Sequence, residues 1–135
     1  MVSINLFVTD TPKALKFYES VFNATAYASL LNEAPGNRST RFKVGNQPFA
    51  LADENPKWGS KSPLTLGGVP LCLNLDVENI SETLGRMLTY GGHIVAPSTD
   101  KEPIFTLPHG GLLANVVDPF GFIWSLTQEK KPSFE

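Results

Sequence analysis

Ile4-Asn5-Leu6-Phe7-Val8 and Leu73-Asn74-Leu75-Asp76-Val77 read as two copies of one strand at a constant offset. In the first, Ile4, Leu6 and Val8 alternate with Ser3, Asn5 and Phe7. In the second, Leu71, Leu73, Leu75 and Val77 alternate with Cys72, Asn74 and Asp76. A period of two places the apolar set on one face of a sheet and the polar set on the other. A helical run follows each strand at the same offset: Leu15 and Tyr18 after the first, Leu84 and Met87 after the second. A duplicated strand-helix unit predicts both an architecture and the faces on which a ligand would sit.

The signals around the copies extend the pattern. Asp10 or Thr11 caps the first helix, Pro12 suits its first turn, and Asn23 stops it. Its stripe runs through Leu15, Tyr18 and Phe22, widened by Ala14, Phe17 and Val21. Residues 25–31 form a strand, and Pro35-Gly36-Asn37 marks a turn. Residues 39–44 and 48–53 form a hairpin through Gly45-Asn46. Asn79 with Glu82 makes a capping box for the second helix. The buried stripe expected there is Ile80, Leu84, Met87 and Leu88, with Gly91-Gly92 as the stop. Residues 93–96, 104–107, 112–118 and 122–127 are strand-like. Asp118-Pro119-Phe120-Gly121 carries proline and glycine where a reverse turn uses them. The order is strand, helix, several strands, twice over. That order predicts an α+β domain with helices on one side of each sheet. The repeats are 1–54 and 69–128. The stretch 55–68, with Pro56, Trp58, Gly59, Pro63 and Gly67-Gly68, reads as a linker or flap.

The chain has 135 residues, 41% hydrophobic and 18% charged, with a net charge of −2. This is a globular composition without the basic footprint of a nucleic-acid binder. No apolar run reaches the roughly 18 residues that span a bilayer. Met1-Val2-Ser3-Ile4-Asn5 carries no basic segment ahead of an apolar block, so no secretory signal is read there. The cytoplasm is the expected location. Cys72 is the single cysteine, which excludes an internal disulfide and a cysteine-based zinc cluster.

The residues resemble a known family. Ala14-Leu15-Lys16-Phe17-Tyr18, Phe49-Ala50-Leu51-Ala52-Asp53-Glu54, Gly67-Gly68-Val69-Pro70 and above all Asn115-Val116-Val117-Asp118-Pro119-Phe120-Gly121-Phe122-Ile123-Trp124-Ser125-Leu126 are similar to the vicinal oxygen chelate superfamily. That superfamily includes glyoxalase I, bleomycin-resistance proteins and extradiol dioxygenases. The wording is nearest to its 3-demethylubiquinone 3-methyltransferase-like branch. The resemblance implies two βαβββ modules whose curved mixed sheets enclose a cavity, helices outside, often assembled as a homodimer. Methyl transfer does not follow from the branch label. A nucleotide-type cofactor loop needs glycines between the first strand and helix, and Val8-Thr9-Asp10-Thr11-Pro12 has none.

Metal-dependent members carry His, Gln or Glu at points that fall here on Ser3, Cys72, Ser125 and near Ala50. Serine and alanine are poor donors to a divalent cation, so no metal and no other cofactor is expected. The second faces hold Asn5, Phe7, Cys72, Asn74, Ile123 and Ser125, which suits a pocket for a small polar or aromatic molecule. The bland reading is ordinary solvent-facing strand residues. Asn5 and Asn74 hold matched positions and can both donate and accept. His109, in Pro108-His109-Gly110-Gly111, sits on a turn where function often resides. His93 satisfies helix carbonyls or faces water, Cys72 is a small buried hydrophobe, and Asp53 and Glu54 are solvated strand-end acids. Metal-free ligand binding is the leading expectation. The alternative is a divalent-metal enzyme of glyoxalase or dioxygenase type, with ligands such as Glu54, His109 or Asp76. An interaction protein with a vestigial pocket is the third reading.

Overall fold

The structure, a computed structural model, describes residues 3–130 and divides into two compact units between Val69 and Pro70. The first unit runs β1 (Ile4–Val8), α1 (Thr11–Phe22), β2 (Thr25–Leu30), β3 (Ser39–Val44) and β4 (Gln47–Asp53). Its sheet order is β1-β4-β3-β2; β1 is parallel to β4 and the other pairs are antiparallel. A short 3-10 turn (Pro56–Trp58) and the one-turn helix α2 (Pro63–Leu66) complete it.

The second unit runs β5 (Cys72–Asp76), α3 (Ile80–Thr89), β6 (His93–Ile94), β7 (Phe105–Thr106), β8 (Leu112–Val117) and β9 (Ile123–Gln128). Its order, β5-β9-β8-β6, repeats the first, with β5 parallel to β9 and β7 also paired to β8. The duplication seen in the sequence is thus a duplication of topology. The difference lies at β8, whose outer partner is broken into two dipeptide strands, β6 and β7.

Local chemistry sets the helix ends. The Asp10 backbone is extended, and its Oδ1 accepts from the Lys13 amide at 3.1 Å. Asn79 does the same for the Glu82 amide at 3.1 Å. Each satisfies a donor with no partner inside its helix. Asn23 closes α1 in the left-handed region at φ 56°, which asparagine tolerates better than most residues.

Each helix covers one face of its own sheet. In the first unit Leu6, Val8, Phe42, Val44, Phe49 and Leu51 are buried against Leu15, Tyr18, Val21 and Phe22. Tyr18 stacks on Phe42 at 5.6 Å between ring centroids, and Phe42 on Phe49 at 5.2 Å. Such pairs contribute about 0.5–1.5 kcal/mol each beyond their buried area. In the second unit Leu73, Ile80, Leu84, Met87, Val116, Trp124 and Leu126 are buried. Leu88 departs from the expected stripe and is 41% exposed, while Thr83 is buried in its stead. At about 100° per residue, Ile80, Thr83, Leu84 and Met87 share one arc, and Leu88 falls past its edge.

Residues 55–68 hold more structure than a linker pattern implies. Asn55 and Ser60 form an isolated antiparallel bridge. The Glu54 carboxylate accepts from the Ser62 amide and the Thr65 hydroxyl, both at 2.7 Å. Those two donors hold its pKa below the usual carboxylate range.

Candidate functional site

The face of each sheet opposite its helix is where side chains are free to meet a ligand. In the first sheet the register sets one row across all four strands: Asn5 on β1, Ala50 on β4, Arg41 on β3 and Ala28 on β2. Phe7 pairs with Ala52 one row on, and Lys43 faces Pro48 and Thr25 in the other direction. Asn5, Arg41 and Lys43 are exposed, and Phe7 is partly covered. A bulge between Ala26 and Ala28 turns Tyr27 outward, and Lys43 Nζ lies 5.6 Å from its ring centroid. That is within cation–π range. Arg41 and Lys43 were not among the sequence candidates. The signal was present in the alternation of Ser39-Thr40-Arg41-Phe42-Lys43-Val44, whose out-facing members include both cations.

In the second sheet Cys72 pairs with Ile123 and Asn74 with Ser125, and Ser125 in turn pairs with Asn115 on β8. Four of the expected residues therefore sit together on β5 and β9. Their polar atoms form a chain. The Ser125 hydroxyl donates to Asn115 Oδ1 at 2.8 Å and lies 3.2 Å from the Cys72 sulfur. The Asn115 amide and side-chain nitrogen both donate to Ser98 Oγ, at 2.9 and 3.4 Å. Val95 N–H donates to the Asn115 carbonyl at 3.0 Å. Ser98 and Val95 thus satisfy β8 where neither β6 nor β7 pairs with it, as a buried backbone requires. Asn115 is 7% and Ser125 8% exposed, so these groups lie beneath the surface. Cys72 and Asn74 at the rim are exposed. The small-hydrophobe reading of Cys72 is therefore corrected: next to the open edge of β5, its side chain is not covered.

His109 lies on the turn between β7 and β8. Its Nδ1 accepts from the Gly111 amide at 3.2 Å, which leaves the ring proton on Nε2, and the residue is exposed. His93 pairs with Val117 on the second face and is exposed rather than bonded to helix carbonyls.

Two acids expected to be solvated are structural. The Asp53 side chain is 2% exposed and accepts from the Thr11 and Gly36 amides, both at 2.9 Å, and from Arg38 Nε at 2.7 Å. Burial alone would raise its pKa. Arg38 and the two amides outweigh that and hold the carboxyl below its ordinary value. One carboxylate thus joins the end of β4, the 36–38 turn and the start of α1. Glu54 is tied to α2 as described above. Asp118, in the Asp-Pro-Phe-Gly motif, is 3% exposed. Its Oδ1 accepts from the Phe120 and Phe122 amides at 2.9 and 3.0 Å, and its Oδ2 from Trp124 Nε1 at 2.9 Å. Gly121 closes the turn at φ 89°, a conformation suited to glycine. The most distinctive piece of the sequence is a folding element.

A divalent cation needs carboxylate, imidazole or thiolate donors that converge. Ser3, Ala50, Cys72 and Ser125 offer one exposed thiol and two hydroxyls, one of them buried and already hydrogen-bonded. Among the described residues no three His, Cys, Asp or Glu side chains cluster as a metal site would need. The residues at these points do not fit the group.

Comparison with known proteins agrees with the geometry. Residues 1–126 match the family model of the glyoxalase/bleomycin resistance protein/dioxygenase superfamily. An uncharacterized protein of Mycobacterium bovis is 30% identical over 134 residues, covering 94% of this chain and 82% of the relative. Among solved structures, the fosfomycin resistance protein FosX of Listeria monocytogenes superposes with a TM-score of 0.69 at 15% identity, covering 96% of this chain and 93% of that one. A glyoxalase-related enzyme of Fulvimarina pelagi gives 0.67 at 20% identity, covering 96% and 88%. The two structures show a shared fold, and the family match over nearly the whole chain, with the 30% identical relative, establishes that this protein belongs to the glyoxalase/bleomycin resistance protein/dioxygenase superfamily.

Proposed function

We propose that the chain is a metal-free small-molecule binding protein. Its ligand is a small polar or aromatic organic molecule, and the candidate contacts lie on the second face of each repeat taken by itself, 1–54 and 69–128. The observation that carries this reading is the Cys72–Ser125–Asn115–Ser98 chain. Where a metal-dependent relative would present carboxylate or imidazole, this protein presents a thiol, hydroxyls and an amide hydrogen-bonded to one another. Asn5 and Asn74 supply amides that both donate and accept. Phe7 and Ile123 supply apolar contact, and His109 supplies an Nε2 donor. Of the acids in the metal-enzyme alternative, Glu54 already has its carboxylate engaged by Ser62 and Thr65.

The homodimer and the cytoplasmic location belong to the same proposal, as does placement in the 3-demethylubiquinone 3-methyltransferase-like branch. No described helix is long and apolar enough to cross a membrane. Sedimentation velocity tests the dimer.

Two measurements test the function together. Purified protein exposed to nickel, zinc, manganese and iron and then dialysed is assayed for bound metal. The same protein is screened for thermal shift against polar metabolites, aromatic acids and glycopeptide antibiotics. The expected outcome is no stoichiometric metal and a Tm that rises with the concentration of one ligand class. Stoichiometric metal accompanied by glyoxalase or ring-cleavage turnover would overturn the reading.

A further inference from the structure

Resting on the ligand-binding reading, we infer that the ligand is an organic anion, and that Arg41 is the side chain that captures it. The second face of the first sheet is cationic in a chain whose net charge is −2. Arg41 and Lys43 are both exposed there, two residues apart on β3. The strands of this sheet contain a single acid, Asp53, and the register puts it opposite Val8 on the helix side. No carboxylate of these four strands therefore lies on this face. Among the described residues Arg41 has no ion-pair partner, whereas Arg38 of the same unit is paired with Asp53 at 2.7 Å and with Asp10 at 3.8 Å.

Stability does not account for the arrangement. Two like charges on one side of a strand, roughly 7 Å apart at their Cα atoms, repel. A sheet built for stability sets β-branched or aromatic residues, or opposite charges, across from each other. Here Arg41 is flanked by Ala50 and Ala28, and alanine is a poor strand residue. Positions that break local rules without a compensating contact mark function. The alanines leave the guanidinium standing over a low floor, its planar fork open to a carboxylate or phosphonate in the two-bond geometry arginine favours. Asn5 lies in the same row two strands away, beyond Ala50. Tyr27, beside Lys43, offers an aromatic wall. A cationic ligand of the bleomycin kind, which an acidic groove would favour, is the wrong charge for this face.

The test is isothermal titration of the full chain at low ionic strength with four probes that share a phenyl ring: benzoate, phenylphosphonate, benzyl alcohol and benzylamine. Arg41→Met, Arg41→Lys and, as a control for general charge, Lys16→Met on the exposed side of α1 are titrated in parallel. Circular dichroism melting confirms that each variant folds. One or both anions should bind at least about tenfold more tightly than benzyl alcohol. Arg41→Met should weaken that binding about tenfold or more. Arg41→Lys should keep part of the binding, and Lys16→Met all of it. Benzoate against phenylphosphonate decides between a carboxylate and a phosphonate. Equal loss in Arg41→Met and Lys16→Met would reduce the effect to net charge and overturn the assignment. Tighter binding of benzyl alcohol or benzylamine than of either anion would overturn the anion inference while leaving a small-molecule binding protein in place. If none of the four binds, the assignment of Arg41 falls, and the broader reading is decided separately by the metabolite screen.

Discussion

Replacing Asp118 with alanine separates folding from function at the motif that most clearly marks the family. The carboxylate is 3% exposed and holds three donors at 2.9–3.0 Å: the amides of Phe120 and Phe122 and the indole nitrogen of Trp124. Each donor left unpaired in a buried setting costs about 1–3 kcal/mol. Water admitted into the space of the lost carboxyl recovers some of that. The expected loss is about 3–6 kcal/mol, a large share of the roughly 5–15 kcal/mol that holds a domain folded. Asp118→Asn is milder. One oxygen still serves both amides, but the new NH2 group meets the Trp124 N–H donor to donor, for about 1–3 kcal/mol. Urea unfolding followed by Trp124 fluorescence reads these values directly. A Trp58→Phe background removes the other indole, which is 75% exposed. A double-mutant cycle with Trp124→Phe, followed by far-UV circular dichroism because no indole remains, isolates the carboxylate–indole term. If Asp118→Ala stayed within about 1 kcal/mol of its parent, the motif would not be the structural hub described above. A fully stable variant that had lost ligand binding would move Asp118 into the binding machinery.

Two further substitutions probe the scaffold. Asp53→Asn should destabilise the protein at neutral pH by about 1–3 kcal/mol and flatten its acid sensitivity. The native pKa of Asp53 lies below the unfolded value of about 3.9. Its contribution is therefore complete above that value and disappears as pH falls through the lowered native pKa. Denaturant titrations between neutral pH and pH 3 check this, and an unchanged pH slope in the variant would contradict it. Asn79→Ala removes the α3 cap and should lower stability by about 1 kcal/mol. Asn79→Ser should recover most of that, and no difference between the two would mean that the 3.1 Å cap bond contributes nothing.

What was legible in the sequence was what neighbours in sequence decide. The caps at Asp10 and Asn79, the left-handed stop at Asn23 and the turn at Asp118-Pro119-Phe120-Gly121 each rest on residues within a few positions of one another. Period-two alternation likewise separated Leu6 and Leu73 from Asn5 and Asn74. What was not legible depends on partners far along the chain. Asp53 looks like a solvated strand end until the fold brings Thr11, Gly36 and Arg38 to it. Ser125 looks like an open pocket hydroxyl until Asn115 and Cys72 claim it. Ser98 carries no strand signal, yet it completes β8 at the gap between β6 and β7. Arg41 is the opposite case. Its outward position was readable, but only the register shows alanine on both sides of it and no strand acid on its face.

The two sheets show how a duplicated module can hold its fold while its chemistry diverges. Their strand orders coincide, and their helix-facing sides are both apolar and buried. On the other face the registers can be read against each other, position by position. Asn5 and Asn74 are the same residue in the same place. Beside them, Ala50 corresponds to Ser125 and Ala52 to Thr127, and the next strand sets Arg41 where the second sheet has Asn115. Arg41 is exposed, and among the described residues it has no carboxylate partner. Asn115 is buried and bonded to Ser98 and Ser125. Packing against a helix constrains one side of each strand, because a core tolerates little change in volume or polarity. It leaves the other side free. One copy has used that freedom to make a satisfied polar layer and the other to display a pair of cations. The polar layer is hydrogen-bonded within itself while the cations of the first sheet are exposed, so the experiments that test the inferred anion ligand belong at Arg41.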